Sequence, residues 1–382
     1  MEKEIEILQE LLQKDPSNFQ ARRELSVLLA NNGFNEEALS NFLYLIKYFP
    51  EDAELHYNIG ILYEKQKDFI NAKKSYERAI EISPQEDFYY NLGEVLVSLE
   101  EWQKALEAFK TVLKTDPNDG NCFFNMGLCY YHLEQKNQAI DNFQKAINLN
   151  SKDIFAYFYL GNLYQEQGLT NFAEENYRKV LEISPDYSWA YYNLASIAFS
   201  NHNIELAKEY LHKTIELNYM DIDAYKLLTK IYLIDDNSED IIVLLETRLE
   251  KEENGDLRYI LAQVYKRIGD TQNYYKNLKY ALENYLTLTY PKNIVNQESE
   301  YVKSLVSVDE ELETEEYEEY SSDEDYDSDE SEDFEGDEEE FVEEGYYDEE
   351  ESSEGYAEED SDIEYEDESF EDYEEEVEDE EV

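Results

Sequence analysis

Residues 154–187 read IFAYFYLGNLYQEQGLTNFAEENYRKVLEISPDY, and this stretch decides the fold because its pattern returns along the chain. It ends near one of five prolines that are spaced 34, 34, 33 and twice 34 residues apart, namely Pro16, Pro50, Pro84, Pro117 and Pro185. A proline cannot continue a helix, so each one ends a helix at the same phase of a repeated unit. Such spacing is typical of a repeat array, and the sequence therefore predicts stacked helical units.

Three columns of residues recur in phase with the prolines. The first is mostly small: Ser26, Gly60, Gly93, Gly127, Gly161, Ala195, Thr229 and Ala262. The second begins small and then changes: Ala38, Ala72, Ala105, Ala139, Ala173, Ala207, Ile241 and Tyr274. The third is bulky: Phe42, Tyr76, Phe109, Phe143, Tyr177, Leu211, Leu245 and Leu278. We interpret each unit as a helical hairpin in which the small columns let helices A and B approach closely and the bulky column fills the groove beside them.

The pattern of residues 154–187 resembles the tetratricopeptide repeat, a family that stacks helical hairpins. The matching residues are Tyr157, Leu160, Gly161, Tyr164, Ala173, Tyr177, Val180 and Pro185. The resemblance implies an all-α fold, a right-handed superhelical solenoid of about eight hairpin repeats. The expected units are 19–52, 53–85, 86–119, 120–153, 154–187, 188–221, 222–254 and 255–288. A half-repeat helix at 1–18 precedes them and a capping helix at 289–308 follows.

The seventh unit departs from the pattern. Thr229, Ile241 and Arg248 stand there where the other units favour small residues. We therefore expect looser packing in this unit, or a repeat register that differs by a residue or two. The expected capping helix rests on apolar residues at helical spacing, which would cover the last open apolar face. These residues are Ile294, Val295, Tyr301, Val302, Leu305 and Val306.

Charge divides the chain into two parts. The chain carries 94 acidic and 31 basic side chains, a net charge of −63. Residues 309–382 hold 45 of the acidic residues and no Lys or Arg, so residues 1–308 carry a net charge of −18. A segment of such composition cannot bury enough apolar area to offset its chain entropy. We therefore expect 309–382 to be a disordered, low-complexity acidic tail that aids solubility or contacts basic partners.

The two cysteines bear on the compartment. Cys122 and Cys129 lie seven residues apart on one expected helix, too distant for a disulfide bridge. Buried reduced thiols are typical of a reducing compartment. The N-terminal stretch MEKEIEILQELLQKDP is a charged amphipathic helix without the apolar core of a secretory signal. We expect a cytoplasmic protein that does not bind membranes, with the nucleus as the alternative if the source is eukaryotic.

The sequence offers no set of residues for catalysis. The four histidines lie in different units or phases, without Cys or carboxylate partners at ligand spacing: His56, His132, His202 and His212. The sequence contains neither a phosphate-binding glycine loop nor a nucleophile elbow. We predict no catalytic, metal or cofactor residues and no enzymatic activity. Nucleic-acid binding is disfavoured too, because both parts of the chain are acidic whereas a phosphate backbone demands a basic surface.

In the family that the sequence resembles, the A helices line a concave groove, and the phase of each column assigns residues to it. One column is aromatic and includes Tyr57, Tyr90, Phe124, Phe158 and Tyr192. The adjacent column is mostly carboxamide and reads Asn58, Asn91, Asn125, Tyr159 and Asn193, and Asn162 lies further along its helix. Carboxamides can bind the backbone of an extended peptide. They can equally bond within or between repeats, and the sequence leaves both roles open.

Some members of the family clamp a partner's C-terminal carboxylate with Lys, Asn and Arg. That set is missing here, because Asp223 and Leu227 occupy the phase that would carry Lys and Arg. The groove is expected to become basic at its C-terminal end through Lys226, Lys230, Lys266 and Arg267. The protein's own acidic tail could reach this end and cover the groove.

The sequence leaves two functions open. The first is a non-enzymatic scaffold or adaptor whose groove binds an extended or helical segment of another protein. The second is a chaperone-like buffer that holds basic client proteins through the acidic tail. Salt distinguishes them, because aromatic contacts persist at high ionic strength and tail contacts do not.

Overall fold

The computed structural model describes residues 2–321, with side chains for residues 3–306. In this range the chain forms eighteen α-helices and one short 3₁₀ helix, and no strand. The helices are α1 Glu2–Lys14, α2 Phe19–Asn31, α3 Asn35–Ile46, α4 Ala53–Lys65, α5 Phe69–Ile82, α6 Glu86–Ser98, α7 Trp102–Thr115, α8 Gly120–His132, α9 Lys136–Leu149, α10 Ile154–Glu166, α11 Thr170–Ile183, α12 Ser188–Ser200, α13 Ile204–Leu217, α14 Ile222–Ile234, α15 Ser238–Leu249, α16 Gly255–Ile268, α17 Thr271–Glu283 and α18 Lys292–Ser321, with the 3₁₀ helix at Tyr285–Thr287.

Helices α2 to α17 pair into hairpins, which confirms the predicted all-α solenoid. We call the first helix of each hairpin helix A and the second helix B. Each hairpin turns at one residue whose φ is positive, between 51° and 82°. These residues are Gly33, Lys67, Glu100, Glu134, Gly168, His202, Asp236 and Gly269. The left-handed conformation lets the chain reverse at once after helix A.

The proline period is explained by how one unit ends and the next begins. Pro50 follows the end of α3, and two residues later Asp52 caps α4 by accepting a hydrogen bond from the backbone N–H of Leu55 at 3.3 Å. The same pattern places Asp119 two residues after Pro117, where it accepts from the N–H of Cys122 at 3.0 Å. Proline prevents helix B from continuing, and the carboxylate satisfies a free N–H at the start of the next helix A.

The core repeats a contact between the first and the third sequence columns. A Cβ atom added to Gly93 would lie 2.6 Å from the ring of Phe109, and one added to Gly127 would lie 2.6 Å from Phe143. Both rings are fully buried. The missing side chain of the glycine therefore provides the space that the ring of helix B occupies. The same contact joins Gly161 to Tyr177 in the fifth hairpin.

The seventh hairpin is packed differently. Its helices α14 and α15 approach each other less closely than the two helices of the other hairpins do. Thr229 stands at the position of the small column, and its buried hydroxyl has no hydrogen-bond partner within the described range. Ile241 and Leu245 are still fully buried, so the hairpin retains an apolar core.

The last helix covers the apolar face that the eighth hairpin leaves open. Val295 and Val302 of α18 are buried, whereas Tyr301 and Leu305 are exposed. Asp256, at the start of α16, accepts hydrogen bonds from the N–H of Thr289 at 2.7 Å and from its hydroxyl at 2.9 Å. These bonds hold the segment that leads into α18 against the eighth hairpin.

Helix α18 extends to Ser321, beyond residue 308, where we expected the capping helix to end and the tail to begin. Glutamate, which is abundant after residue 309, has a high helix propensity, and a helix needs no buried core to form its backbone hydrogen bonds. The rest of the predicted tail, residues 322–382, lies outside the described residues.

Two further findings concern the cysteines and the length of the apolar helices. Cys122 and Cys129 are free and buried, and burial raises the pKa of the Cys129 thiol to about 12. No helix within the described range is long and apolar enough to cross a membrane.

Candidate functional site

Consecutive A helices lie side by side and form a continuous surface, which we call the A-face. Contacts between neighbouring A helices show this arrangement. The side-chain amide of Asn91 on α6 donates to the Tyr57 hydroxyl on α4 at 3.1 Å. Phe124 on α8 contacts Tyr159 on α10, with ring centroids 6.2 Å apart. Tyr57 and Phe124 of the predicted aromatic column thus take part in contacts between neighbouring A helices.

Several of the predicted aromatic residues are built into the packing within and between hairpins. Tyr57 lies against Phe88, with ring centroids 4.5 Å apart, and Tyr90 contacts Phe109 edge-on at 5.9 Å. Phe158 is only 8% exposed. It was predicted as a groove residue, but Tyr177 and Tyr187 cover most of its ring. Phe158 therefore presents little ring area to a partner, whereas Tyr57 and Tyr90 are half-buried.

The predicted carboxamides mostly bond to the protein itself. Asn58 donates to the carbonyl of Glu54 in its own helix at 2.7 Å. Asn162 accepts from the Tyr177 hydroxyl at 2.8 Å and from the side-chain amide of Asn193 at 3.3 Å. Among these bonds is one that joins α10 to α12. The structure thus assigns an internal role to these groups.

Asn125 and Phe124 lie half-buried on α8, in the middle of the A-face. The ring of Phe124 contacts Phe143 at 5.7 Å between ring centroids and Phe155 at 6.5 Å. Phe155 does not belong to the predicted aromatic column. It lies in a second group of rings together with Tyr187 and Trp189.

Two of these rings are the exposed aromatic residues of the A-face, and both were missed from sequence. Phe155 is 52% exposed and Trp189 is 57% exposed. Tyr187 connects them, at 6.4 Å from Phe155 and 6.5 Å from Trp189 between ring centroids. A signal existed in the second position of each unit. That position is polar in the other six units and aromatic only in the fifth and sixth, as the column Gln20, Glu54, Asp87, Asn121, Phe155, Trp189, Asp223 and Asp256 shows.

Beside Trp189 lies an open cleft between α12 and α14, which we call the α12–α14 cleft. Its volume is about 430 Å³. The lining residues are Phe158, Trp189, Tyr192, Asn193, Asn218, Met220, Asp221, Ile222 and Asp223. Tyr192 and Asn193, both predicted as partner-binding residues, form part of its wall.

Acidic groups set the electrostatics of this cleft. Asp221 caps α14 by accepting from the N–H of Ala224 at 3.0 Å. Burial raises the pKa of Asp221 and the Asp223 carboxylate adds to the increase, while the bond from Ala224 opposes it. Burial also raises the pKa of the Tyr192 hydroxyl, and the charges of Asp223 and Asp221 contribute. The local potential is therefore negative.

A second acidic region lies toward the N-terminal end of the A-face. Burial raises the pKa of the Glu94 carboxyl, and the nearby charges of Glu64 and Asp119 raise it further, whereas its hydrogen bond with Tyr90 opposes them. The charge of this region has the same sign as that of the cleft.

The predicted basic end is partly neutralised. Lys226 lies 3.2 Å from Asp223, and Lys266 lies 3.8 Å from Glu298 on α18. Lys230 lies over the ring of Phe199 at 5.9 Å, and Arg267 is exposed. The four residues that were predicted together thus differ in surroundings.

No group of three His, Cys, Asp or Glu side chains within the described part of the chain is arranged to hold a metal ion.

The comparisons with known proteins identify the repeats. Three tetratricopeptide repeat profiles match residues 53–86, 85–152 and 164–231. Over 100 residues the chain is 30% identical to a UDP-N-acetylglucosamine--peptide N-acetylglucosaminyltransferase of Giardia intestinalis. That match covers 26% of this chain and only 7% of the transferase.

The solved structures that the chain matches share low sequence identity with it. YrrB, described as a TPR protein with an unusual peptide-binding site, is 28% identical with a TM-score of 0.41, over 48% of this chain and 95% of its own. MamA from Desulfovibrio magneticus RS-1 is 24% identical with a TM-score of 0.43, over 45% and 97%. Yeast Tom70 is 18% identical with a TM-score of 0.47, over 77% and 66%.

Proposed function

Because this chain is a tetratricopeptide repeat protein, we propose that it is a non-enzymatic scaffold that binds a segment of another protein on its A-face. The observation that carries the proposal is the exposure of Phe155 and Trp189, each over half accessible and joined through Tyr187. Large rings that stay exposed beside a cleft are typical of interaction surfaces, because their burial by a partner releases much apolar area.

The A-face suits a segment and not a small molecule. Its exposed rings and the α12–α14 cleft extend over the fifth, sixth and seventh hairpins, and the cleft is open along one side. An extended chain or a helix can contact several hairpins at once, and each contact adds to the affinity. The predicted carboxamides support the surface from within, since they fix the positions of Tyr57 and of α12.

A display experiment tests this proposal. Random peptides are selected on the full chain, and the affinity of a selected peptide is compared between the native protein and the variant Phe155→Ala/Trp189→Ala. Loss of central aromatic contacts typically costs about 2 kcal/mol or more, so we expect at least a tenfold weaker affinity. Phe172→Ala is the matched control, because Phe172 is 53% exposed but lies on the B helix α11. Equal affinity of native protein and double variant would contradict the proposal.

The acidic segment 309–382 favours an accessory role, since it holds 45 acidic residues and no basic one. We propose that it aids solubility and adds a salt-sensitive attraction for basic partners. A chain that lacks it should retain the affinity of a neutral peptide and lose affinity for a basic one at low salt. Unchanged binding of the basic peptide would contradict this role.

A further inference from the structure

The α12–α14 cleft combines aromatic walls with carboxylates. Trp189 and Tyr192 supply ring surface from α12, and Asp221 and Asp223 supply negative charge from the start of α14. Aromatic faces attract cations through the ring quadrupole, and the attraction increases when the cation is removed from water. Carboxylates complete such a site by accepting hydrogen bonds from the cation.

We propose that the α12–α14 cleft takes the cationic side chain, arginine or lysine, of the segment bound on the A-face. This inference rests on the proposed function and specifies the chemistry of its partner. The aliphatic stem of such a side chain packs against Trp189 and Met220, while its charged end reaches the carboxylates. A planar guanidinium group can stack on an aromatic ring and donate to a carboxylate at the same time.

Lys226, which pairs with Asp223, is not among the residues that line the cleft. Lys226 lies 3.2 Å from Asp223, but the two side chains are 39% and 69% exposed. An exposed ion pair between neighbouring residues of one helix contributes little free energy, so a ligand can replace it at small cost. Asp221 is engaged by the backbone N–H of Ala224, a bond that leaves its negative charge in place.

The charges argue against other occupants. The acidic tail would bring carboxylates to carboxylates, and a second copy of this chain carries a net charge of −63. An apolar side chain would cover Trp189 but would also remove Asp221 and Asp223 from water without any compensating charge, which is costly. A cationic side chain can cover the ring of Trp189 and also compensate the charges of Asp221 and Asp223.

The protein contains its own reporter for the test. It has two tryptophans, Trp189 in the cleft and Trp102 at the start of α7, where the latter stacks on His132 at 4.2 Å. The two indole N–H resonances of the ¹⁵N-labelled full chain can be followed while short peptides are added. The probes are Ac-Gly-X-Gly-amide peptides in which X is arginine, lysine, citrulline or norleucine. Citrulline keeps the shape of arginine without its charge, and norleucine keeps the stem of lysine.

We expect the arginine and lysine peptides to shift the Trp189 resonance in a saturable manner and to leave Trp102 unchanged. The citrulline and norleucine peptides should bind about threefold to thirtyfold more weakly, the range that a cation over an aromatic ring provides. A larger effect of arginine than of lysine would identify the guanidinium as the preferred group. Equal shifts from charged and uncharged peptides, or no shift up to millimolar concentration, would overturn the inference.

Charge-removing variants keep the test independent of folding. Asp221→Asn retains a residue that caps helices equally well, so α14 is preserved. Asp221→Asn/Asp223→Asn should weaken the arginine peptide at least about threefold without changing the citrulline peptide. The matched control is Asp87→Asn, which removes an exposed charge at the same repeat position of the third unit. An equal loss in the control would assign the effect to overall charge and overturn the cleft as its source.

The two proposals can fail separately. If a selected peptide depends on Trp189 while the charged probes bind no better than their neutral counterparts, the scaffold function stands and the cationic site does not. If neither selected peptides nor probes depend on Trp189, both proposals are wrong.

Discussion

At the scale of single residues, six of the eight hairpins pack helix A on helix B in one of two ways. Where the small column is glycine, its partner in helix B is an aromatic ring, as in Gly93 with Phe109. Where the small column is alanine, the partner is leucine, as in Ala195 with Leu211. In these six hairpins the larger partner accompanies the smaller residue, whereas the first hairpin combines Ser26 with Phe42 and the seventh combines Thr229 with Leu245.

This pairing predicts a strong coupling between Gly93 and Phe109. Gly93→Ala should lower the free energy of unfolding by about 1 to 3 kcal/mol, because the new methyl group overlaps the ring. In the double variant Gly93→Ala/Phe109→Leu, which recreates the alanine and leucine pair, the loss should fall short of the sum of the single losses by about 0.5 to 3 kcal/mol. Urea unfolding followed by circular dichroism measures both effects.

The control for this cycle is Gly120→Ala on α8. Its added Cβ would meet Leu149 at 3.4 Å, an ordinary contact, so we expect an unchanged or slightly higher stability. Additive losses at Gly93 and Phe109 would mean that the two positions pack independently.

The same scale explains which site residues the sequence could reveal. The aromatic column was found because it recurs, but recurrence selects residues that pack the repeat, and Phe158 is therefore largely buried. Phe155 and Trp189 were missed for the opposite reason, since they interrupt a column that is otherwise polar. A binding residue in a repeat protein is better sought among departures from the pattern.

At the scale of elements, several helix ends follow from sequence because they have a local chemical cause, as where Pro50 and Asp52 precede α4 and where Pro117 and Asp119 precede α8. The end of α18 had no such signal. The composition after residue 308 predicts a disordered segment, because its charges repel and it has few apolar residues to bury. The helix nevertheless continues to Ser321 through glutamate-rich sequence. The propensity of a segment to form a helix and its ability to form a compact core are separate properties. The composition of this segment informs only about the compact core.

The attachment of α18 gives a prediction at this scale. Asp256→Ala would leave the N–H and hydroxyl of Thr289 without their carboxylate partner, at a cost of about 1 to 3 kcal/mol. Because these bonds lie at the end of the array, the loss should loosen α18 and not the distant hairpins. Hydrogen exchange should accelerate in residues 292–306 and stay unchanged in α4 and α5.

Thr289→Val is the milder companion variant, since it removes the hydroxyl but keeps the backbone N–H that bonds to Asp256. Its exchange should lie between those of the native protein and Asp256→Ala. Uniform acceleration along the whole chain would show that the bond stabilises the array globally.

At the scale of the whole molecule, charge is the dominant property. The net charge of −63 arises largely from a segment that contributes no basic residue. Like charges repel over a distance that salt reduces to about 8 Å at 0.15 M. Self-repulsion should therefore lower the stability of the array most at low salt.

A chain that ends at Ser321 should melt at the same or a higher temperature than the full chain at low salt, and added salt should remove the difference. Thermal melts of both forms by circular dichroism at low and at moderate ionic strength provide the measurement. A lower melting temperature of the shortened chain at every salt concentration would instead indicate that residues 322–382 pack against the array.

The two modes of helix pairing also constrain how such a gene can change in length. The second to fifth units combine glycine with a ring, whereas the sixth and eighth combine alanine with leucine. Recombination that joins helix A of one kind to helix B of the other would create either an overlap or a void. Exchange between hairpins of different kinds should therefore be tolerated when its breakpoints fall between hairpins and disfavoured when they fall in the turn within one.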